Sequence, residues 1–435
     1  MKLQIILENK GFLTIEIMLA FSIMILFVIS SFTLESSIQE LRGWSLEELE
    51  KLKTAVQDAD RLIKNDFNGF SGSGYFGNET RFFLIYPFSL VHSDFKEAWG
   101  RSSCYPRLEF DEDRASYFSD GVDIGTGNAS TDIEARNGVA YLTADSTSST
   151  AMDFFIVNAN DASSLRIMSS LNTGPGINAI EIAGPYAFAA QASSVSQLQI
   201  IDMHDRTAPQ LISQLRLPLP TPTTTAPFAV SVFYSKGFIY LGTAKWSGPE
   251  LAVIDVSNIN NPSVVGTFET NTVINDIYVR GDKAYLATAD EQQMMILDVS
   301  DKSNPLLEDS FSSSGWQTQT GKTLEYFEGI LGFGRTVGGF NVTANHEVFT
   351  FSSTTQSYAS KDIPGGVYGL LVRSQHVFLL THFPDHEFQV WDPVFSKLIF
   401  DMPLDADPAR MSCAGSILYF ATGDSRGISL LKLYE

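Results

Sequence analysis

The sequence predicts a long N-terminal α-helix followed by an all-β propeller, with seven blades as the first choice and six as the alternative. Three observations carry this prediction. An apolar run over residues 12–34 contains a single charged residue, Glu16. A stretch with three glycines, residues 68–74, separates the helical pattern from sequence rich in β-branched and aromatic residues. Beyond it, one unit recurs about every 45 residues, a period typical of four-stranded β units.

The composition excludes several classes of function. The chain has 435 residues, of which 44% are hydrophobic, and a formal net charge of −21. This excess of carboxylates gives no electrostatic support to nucleic-acid binding. Two cysteines, Cys104 and Cys413, cannot build a disulfide-dense scaffold or a four-cysteine zinc site.

The apolar run at 12–34 is long enough to cross a membrane. Its 23 residues would span ~35 Å as a helix. Lys2 and Lys10 lie before the run, which places the N-terminus in the cytoplasm and the bulk of the chain outside. Neither a secretory signal peptide nor a plain anchor explains Glu16, because a lone carboxylate is costly in lipid.

The segment Gly11-Phe12-Leu13-Thr14-Ile15-Glu16 follows a short charged leader and resembles the prepilin signal of type IV pilins and pseudopilins. The resemblance implies cleavage after Gly11 by a prepilin peptidase and methylation of Phe12 as the new N-terminus. It also implies that Glu16 acts in assembly, where it would pair with the Phe12 amine of a neighbouring subunit and neutralise both charges. An ordinary uncleaved anchor is the alternative.

We expect four segments along the chain. Residues 1–11 are the leader, 12–66 the pilin-like helix, 67–131 a connecting β and loop region, and 132–435 the propeller. Within the helix, apolar residues recur at steps of three and four after Ser45-Leu-Glu-Glu48, which is typical of a capping box. This stripe predicts packing against the protein's own head, with a separate coiled coil as the alternative.

The β part of the chain repeats a strand pair, then a strand ending in Asp, then a proline. Clear copies lie at 180–209, 230–262 and 277–305, weaker ones at 133–160, 370–393 and 412–433, and a degenerate one around 329–334. Short β units with exposed edges are stable when they close into a ring, so a propeller is favoured over an open array. Six blades would result if the degenerate copy were not a blade.

These repeats resemble LVIVD-repeat propellers, and Val253-Ile-Asp-Val-Ser257 and Ile296-Leu-Asp-Val-Ser300 match their motif closely. The resemblance covers about 132–434 and is poor in the fifth unit, where Phe349-Thr-Phe351 lacks the Asp. The strand-ending carboxylates can accept backbone N–H groups of the following turn. We therefore assign turn formation, rather than metal binding or catalysis, to Asp202, Asp255 and Asp298.

The sequence contains no recognisable catalytic constellation, so the protein is predicted not to be an enzyme. His382-Phe-Pro-Asp-His-Glu387 is the one cluster with ligand-like spacing. Pro384 argues against a helix that would align its two histidines. We expect no catalytic residue, no metal site and no cofactor.

The binding surface is expected on the rim with the variable loops. Turns after the first strand of each unit and the Asp-to-Pro turns are short, and both kinds open on one rim. Connections on the opposite rim vary in length and sequence at 145–152, 191–196, 218–227 and 245–249. Variable loops on a rigid frame are common recognition sites, and Trp246 and Trp316 are the candidate anchors.

The last repeat ends after its third strand, so we expect an earlier strand to complete it. The candidates are Cys104-Tyr-Pro-Arg-Leu-Glu-Phe110 and Ala115-Ser-Tyr-Phe118. Cys104 would approach Cys413 only if the linker crosses the end of the blade. A disulfide between them and two unpaired thiols both stay open.

Two classes of function follow. The first is a pilin-like filament subunit that displays the propeller outside the cell for adhesion or for binding a surface protein or glycan. Its partners would be other pilin subunits, the prepilin peptidase, and the inner membrane before assembly. The second is a membrane-anchored extracellular propeller enzyme or ligand-binding receptor with a pilin-type anchor. A bulky head favours a minor, sparsely inserted filament subunit.

Overall fold

A computed structural model describes residues 103–104, 116–118, 121–136, 138–146, 150–161, 164–221, 225–314, 319–327, 329–336, 346–352, 358–373, 376–415 and 417–432. All of them fall within one unit of the chain, 96–435. The predicted leader and helix, with Gly11, Phe12 and Glu16, lie outside the described residues. Among the residues that are described, no helix is long and apolar enough to cross a membrane.

The described residues form 29 β-strands in seven sheets, which are the blades of a propeller. Blade 1 contains β3 (Asn128–Arg136), β4 (Val139–Ser146), β5 (Phe154–Asn158) and β6 (Arg166–Leu171). Blade 2 contains β7 (Ile177–Ala183), β8 (Tyr186–Gln191), β9 (Leu198–Asp202) and β10 (Gln210–Leu215). Blade 3 contains β11 (Ala229–Ser235), β12 (Phe238–Thr243), β13 (Leu251–Asp255) and β14 (Ser263–Phe268).

The next three blades repeat the same order of four consecutive antiparallel strands. Blade 4 contains β15 (Ile274–Arg280), β16 (Lys283–Thr288), β17 (Met294–Asp298) and β18 (Leu306–Phe311). Blade 5 contains β19 (Gly321–Phe327), β20 (Ile330–Arg335), β21 (Val348–Ser352) and β22 (Tyr358–Lys361). Blade 6 contains β23 (Val367–Arg373), β24 (His376–Thr381), β25 (Phe388–Trp391) and β26 (Leu398–Met402).

Blade 7 is built from both ends of the unit. It contains β27 (Arg410–Gly415), β28 (Ile417–Ala421) and β29 (Ile428–Lys432). The strand β2 (Ser116–Phe118) pairs antiparallel with β29 and completes the outer edge, whereas β1 (Ser103–Cys104) pairs parallel with β27 at the inner edge.

The completion of blade 7 by an earlier strand is therefore confirmed for the candidate at 115–118. Of the other candidate, 104–110, the structure describes only Cys104, which belongs to β1 at the inner edge. After β2 has paired with β29, the remaining free edge of the sheet is that of β27, and β1 takes it.

Burial follows the position of each strand within its blade. The two middle strands are apolar on both faces, because each blade packs between two neighbours. In β13, for example, Leu251 to Ile254 are all buried, whereas the outer strand β18 is almost entirely exposed. The core thus consists of apolar layers between blades, such as Tyr278, Leu286 and Phe333 of blades 4 and 5.

The ring is closed, because the inner strand of each blade contacts that of the next and β27 contacts β3. The degenerate sequence unit forms blade 5, with Phe349 and Phe351 in its third strand. Seven blades are therefore confirmed, and the six-blade alternative is wrong.

The strand-ending carboxylates form turns, as the sequence predicts. Asp202, Asp255 and Asp298 accept the backbone N–H two residues further on at 2.9, 2.8 and 2.8 Å. These backbone hydrogen bonds are the main reason why the pKa values of Asp255 and Asp298 are lowered.

Candidate functional site

The two ends of the propeller differ in how their loops are built. Within each blade, the first-to-second and third-to-fourth connections lie at one end, which we call the lower rim. The second-to-third connections and the loops between blades lie at the other end, the upper rim. The upper rim therefore carries all the variable connections noted in the sequence.

In six blades, a buried side chain accepts a hydrogen bond from a backbone N–H group in the loop that leads from the fourth strand to the next blade. Asp153 accepts the Thr173 N–H at 2.7 Å, and Glu347 accepts the Ile363 N–H at 2.8 Å. The equivalent acceptors are Gln197, Glu250, Gln293 and Glu387, which bond the N–H groups of Leu217, Thr270, Ser313 and Leu404. All six side chains are buried, so the frame beneath the loop tips is rigid.

The sequence analysis missed this set of acceptors, although a signal for it exists. In each case, an Asp, Glu or Gln stands directly before the first residue of the third strand of the blade. Single polar residues before an apolar strand are common, so the signal is visible only when the blades are aligned on their third strands.

Three apolar side chains share the upper rim over blades 2 and 3, and we call them the rim patch: Val195, Phe228 and Trp246. Val195 is 72% exposed and Phe228 is 51% exposed. Trp246 is half-buried, and its indole N–H donates to the Pro249 carbonyl at 3.0 Å. Trp316, the other predicted anchor, lies outside the described residues.

Hydrogen bonds join the loops that carry the rim patch. The Gln197 side-chain amide donates to the carbonyls of Ser193 at 2.9 Å and Pro227 at 3.1 Å, which links the Val195 loop to the Phe228 loop. The Ala244 N–H donates to the Phe228 carbonyl at 2.9 Å, which adds the Trp246 loop. Hydrogen bonds therefore tie the three loops to one another.

The central channel holds a small cavity of ≈ 50 Å³, lined by residues of the inner strands. Such a volume has room for a few water molecules. Carboxylates on its wall bond to backbone across the blade boundaries: Asp132 accepts the Ile180 N–H and Asp276 the Leu324 N–H, both at 2.9 Å. These carboxylates satisfy inner edge strands that would otherwise expose unpaired N–H groups.

The upper mouth of the channel carries a cluster of polar and charged groups from four blades. Arg410 donates to the carbonyls of Tyr368 at 3.1 Å and Asn275 at 3.2 Å, and so joins blade 7 to blades 6 and 4. Tyr368 stacks on His382 with ring centroids 3.5 Å apart and an interplanar angle of 8°. Burial lowers the pKa of the His382 imidazole.

Lys322 belongs to the same mouth, on the second residue of β19. Burial and the neighbouring Arg410 lower the pKa of its ammonium group from 10.5 to about 8, and Asp276 and Asp132 oppose this shift only in part. The Lys322 ammonium group forms no hydrogen bond or ion pair with the part of the chain that the structure describes. The sequence analysis did not single out this lysine, because its neighbours come from blades far apart in the chain.

The histidine-rich segment does not gather its side chains at one point. His382 stacks on Tyr368, whereas His386 pairs with Asp401 and Glu387 accepts the Leu404 N–H. Over the described ranges, no three or more His, Cys, Asp or Glu side chains are grouped to hold a metal ion.

The two strands that contain the cysteines, β1 and β27, are adjacent. Cys413 is buried in β27 and is disulfide-bonded. The backbone pairing sets Cys104 of β1 opposite Gly415, and the sequence has no third cysteine. The side chain of Cys104 lies outside the described residues.

Comparison with known proteins agrees with this geometry. The LVIVD repeat model matches residues 229–270 and 274–312, which are blades 3 and 4. The chain carries LVIVD repeats. In both matched repeats, the Asp of the motif forms the lower-rim turn described above.

Solved structures show the same propeller fold. The chain is similar to a chain in the crystal structure of the Mitotic Checkpoint Complex, with 13% identity over 76% of this chain and 94% of that one and a TM-score of 0.55. It is also similar to the WD40 β-propeller domain of Doa1, with 11% identity over 73% and 96% of the two chains and a TM-score of 0.51. No curated protein matches the chain.

Proposed function

We propose that the propeller is a protein-binding head that a pilin-like N-terminal helix displays outside the cell as part of a filament. The observation that carries the binding function is the rim patch, in which Val195 and Phe228 are exposed and Trp246 is half-buried, on loops that hydrogen bonds join to one another. The prepilin-like segment Gly11 to Glu16 supports the filament part of the proposal.

The rim patch has the chemistry of a protein interface. Apolar side chains exposed on adjacent loops favour burial against a partner. Aromatic residues on a rigid frame provide such contact at a low cost in conformational entropy, and they are frequent at the energetic centre of interfaces. The lower rim consists mainly of short Asp turns and offers less variable surface.

The alternative function, an extracellular propeller enzyme or ligand receptor, has weaker support. Its active site would be expected in the channel, where propeller blades converge. The cavity there is ≈ 50 Å³, and Asp132 and Asp276 on its wall are engaged by backbone N–H groups of the next blade.

Site-specific photocrosslinking in the full chain tests the binding function. A photoreactive phenylalanine analogue replaces Phe228 or Trp246 in the native host, and the matched control replaces Val394. Val394 is 64% exposed and lies in a third-to-fourth-strand turn on the lower rim. We expect one recurring protein adduct from positions 228 and 246 and none from 394. Equal adducts from all three positions would contradict a rim-specific interface.

The filament role has its own test. Electron microscopy of sheared surface filaments, with gold-labelled antibody against the head, should show sparse or tip labelling. Such labelling follows from the bulk of the head, because heads of this size on every subunit would crowd the filament. Continuous labelling would refute the minor-subunit proposal, and heads found only on the membrane would refute the filament role.

A further inference from the structure

Blade 3 differs from the other five blades that have a buried acceptor in how this side chain is bonded. In the other five, both polar atoms of the acceptor have hydrogen-bond partners. Asp153 accepts the Thr173 N–H on one oxygen and the Thr173 hydroxyl on the other, at 2.7 and 2.8 Å. The second atoms of Gln197, Gln293, Glu347 and Glu387 bond, in turn, the Ser193 carbonyl, the Gln319 carbonyl, the Gln319 amide and the Asp385 N–H.

Glu250 of blade 3 bonds its loop through one oxygen. Its Oε2 accepts the N–H groups of Thr270 and Asn271, both at 3.0 Å, and lies 3.1 Å from the Thr270 hydroxyl. Its Oε1 has no hydrogen-bond donor among the described residues and exposes almost no surface, so neither water nor a ligand from solution reaches it. A buried carboxylate oxygen without a donor is unfavourable, and only a neighbouring side chain can supply that donor here.

The carboxyl group of Glu269 is that neighbour. Its Oε1 accepts, at 3.3 Å, the same Asn271 N–H that Glu250 accepts at 3.0 Å, so the two carboxyl groups converge on one nitrogen. A protonated carboxyl group has one O–H donor. Partial burial raises the pKa of Glu269, and the hydrogen bond with Glu250 and the negative charge of Glu250 raise it further. Each of these causes favours the protonated acid.

We propose that the protonated carboxyl group of Glu269 donates a hydrogen bond to Oε1 of Glu250, which fixes the 269–271 turn at acidic pH and releases it when Glu269 ionises. After ionisation, Oε1 loses its donor and the two carboxylates repel each other.

This turn is joined to the rim patch. Glu250 directly follows Pro249, whose carbonyl accepts the Trp246 indole N–H at 3.0 Å. A change in the hydrogen bonds of Glu250 therefore acts at the base of the loop that carries Trp246. The consequence for partner binding rests on the proposed protein-binding function, whereas the proton on Glu269 does not depend on it.

Two charged groups face Glu269 from the elements around its turn. Glu250 comes from the residue before β13, and Lys245 from the loop between β12 and β13. Lys245 opposes the rise in the pKa of Glu269, as does the Asn271 N–H. The folded protein holds the proton to higher pH than the unfolded chain does, so the hydrogen bond stabilises the fold at low pH. This stabilisation is lost as the pH rises through the pKa of Glu269 in the folded protein.

NMR of the full chain, with the glutamates labelled by ¹³C at the side-chain carboxyl carbon, measures this proton directly. Glu269→Gln removes one signal and so assigns it. We expect the Glu269 signal to titrate above the ordinary value of 4.5. Glu250→Gln should lower that midpoint, because the new amide can donate to Glu269. Glutamine is the natural acceptor at this position in blades 2 and 4, so the variant keeps a bond to the turn.

A second signal connects the proton to the rim patch. With 5-fluorotryptophan in the full chain, and Trp246→Phe to assign the signal, we expect the Trp246 ¹⁹F signal to shift with the same midpoint as Glu269. Glu269→Gln should abolish this shift, because its amide N–H donates at every pH. Glu291→Gln is the matched control, since Glu291 is an exposed carboxylate on the upper rim of blade 4, and it should leave both titrations unchanged.

Three results would overturn the proposal. They are a Glu269 signal that titrates at 4.5 or below, a Trp246 signal that does not follow the midpoint of Glu269, and a Glu291→Gln variant that acts as Glu269→Gln does. None of them would alter the photocrosslinking test, so adducts from positions 228 and 246 would leave the protein-binding function standing without the pH-sensitive turn.

Discussion

At the scale of single residues, the buried acceptors before the third strands explain how variable loops stay on a fixed frame. Asp153 is fully buried, and its two oxygens accept the N–H and the hydroxyl of Thr173 at 2.7 and 2.8 Å. Removal of such an acceptor leaves buried donors without a partner.

We expect Asp153→Ala to lower the free energy of unfolding by about 1–3 kcal/mol, which is the cost of an unsatisfied buried donor. Asp145→Ala is the matched control, since Asp145 is an exposed carboxylate in the same blade, and it should change stability by less than about 0.5 kcal/mol. Urea unfolding of both variants measures the difference. Equal effects would show that the acceptor does not fix the loop.

The buried carboxyl of Asp153 also makes the stability of the fold depend on pH. Burial raises the pKa of Asp153 above 3.8, despite the opposing hydrogen bonds from Thr173. The folded protein therefore holds this proton to higher pH than the unfolded chain does, and ionisation costs stability as the pH rises through that interval. The stability of Asp153→Asn relative to the natural protein should increase from pH 4 to 7. A difference that falls over this range would contradict the assignment.

The two cysteines lie on adjacent strands and are predicted to form a disulfide. Because Cys413 is disulfide-bonded and β1 lies beside β27, we expect Cys104 and Cys413 to pair. A bridge over about 310 residues would stabilise the fold by ~5 kcal/mol in the chain-entropy model, less any strain. Thiol labelling of the unfolded, non-reduced protein should find no free thiol. Two reactive thiols would exclude the bridge.

At the scale of elements, the three residues of β2 complete the outer edge of blade 7. Tyr117 packs against the apolar layer that includes Leu431. Tyr117→Asp should lower stability by about 1–3 kcal/mol and promote self-association through the freed edge of β29. Leu306→Asp is the control, because Leu306 is 55% exposed on the outer strand of blade 4. Unfolding and size-exclusion chromatography distinguish the two variants.

Local sequence predicts most of these strands and turns, but few of the contacts between blades. The turns at Asp255 and Asp298 and the spacing of units indicate seven blades, because both signals lie within one repeat. The inner position of β1 and the hydrogen bond from Arg410 to the Asn275 carbonyl depend on ring closure, which brings together residues 135 positions or more apart. No periodicity within a repeat reports such contacts.

At the scale of the whole molecule, processing at the N-terminus tests the filament role. The intact mass from the native host should correspond to cleavage after Gly11 with a methylated Phe12. Glu16→Ala should leave export unchanged but reduce incorporation into filaments, because the Phe12 amine loses its partner within lipid. Retention of residues 1–11 in a host that has the peptidase would contradict the pilin-like processing on which the filament role depends.

The order of synthesis separates β2 from its partner strand in time. The strand β2 leaves the ribosome before blade 1, yet its partner β29 follows roughly 310 residues later. At typical elongation rates this is a wait of ~15–60 s, during which the segment has no partner strand. Completion of blade 7 thus reports that translation has passed β29. A chain cut short before Ile428 would retain an unfinished blade, which proteases and chaperones recognise by its exposed edge.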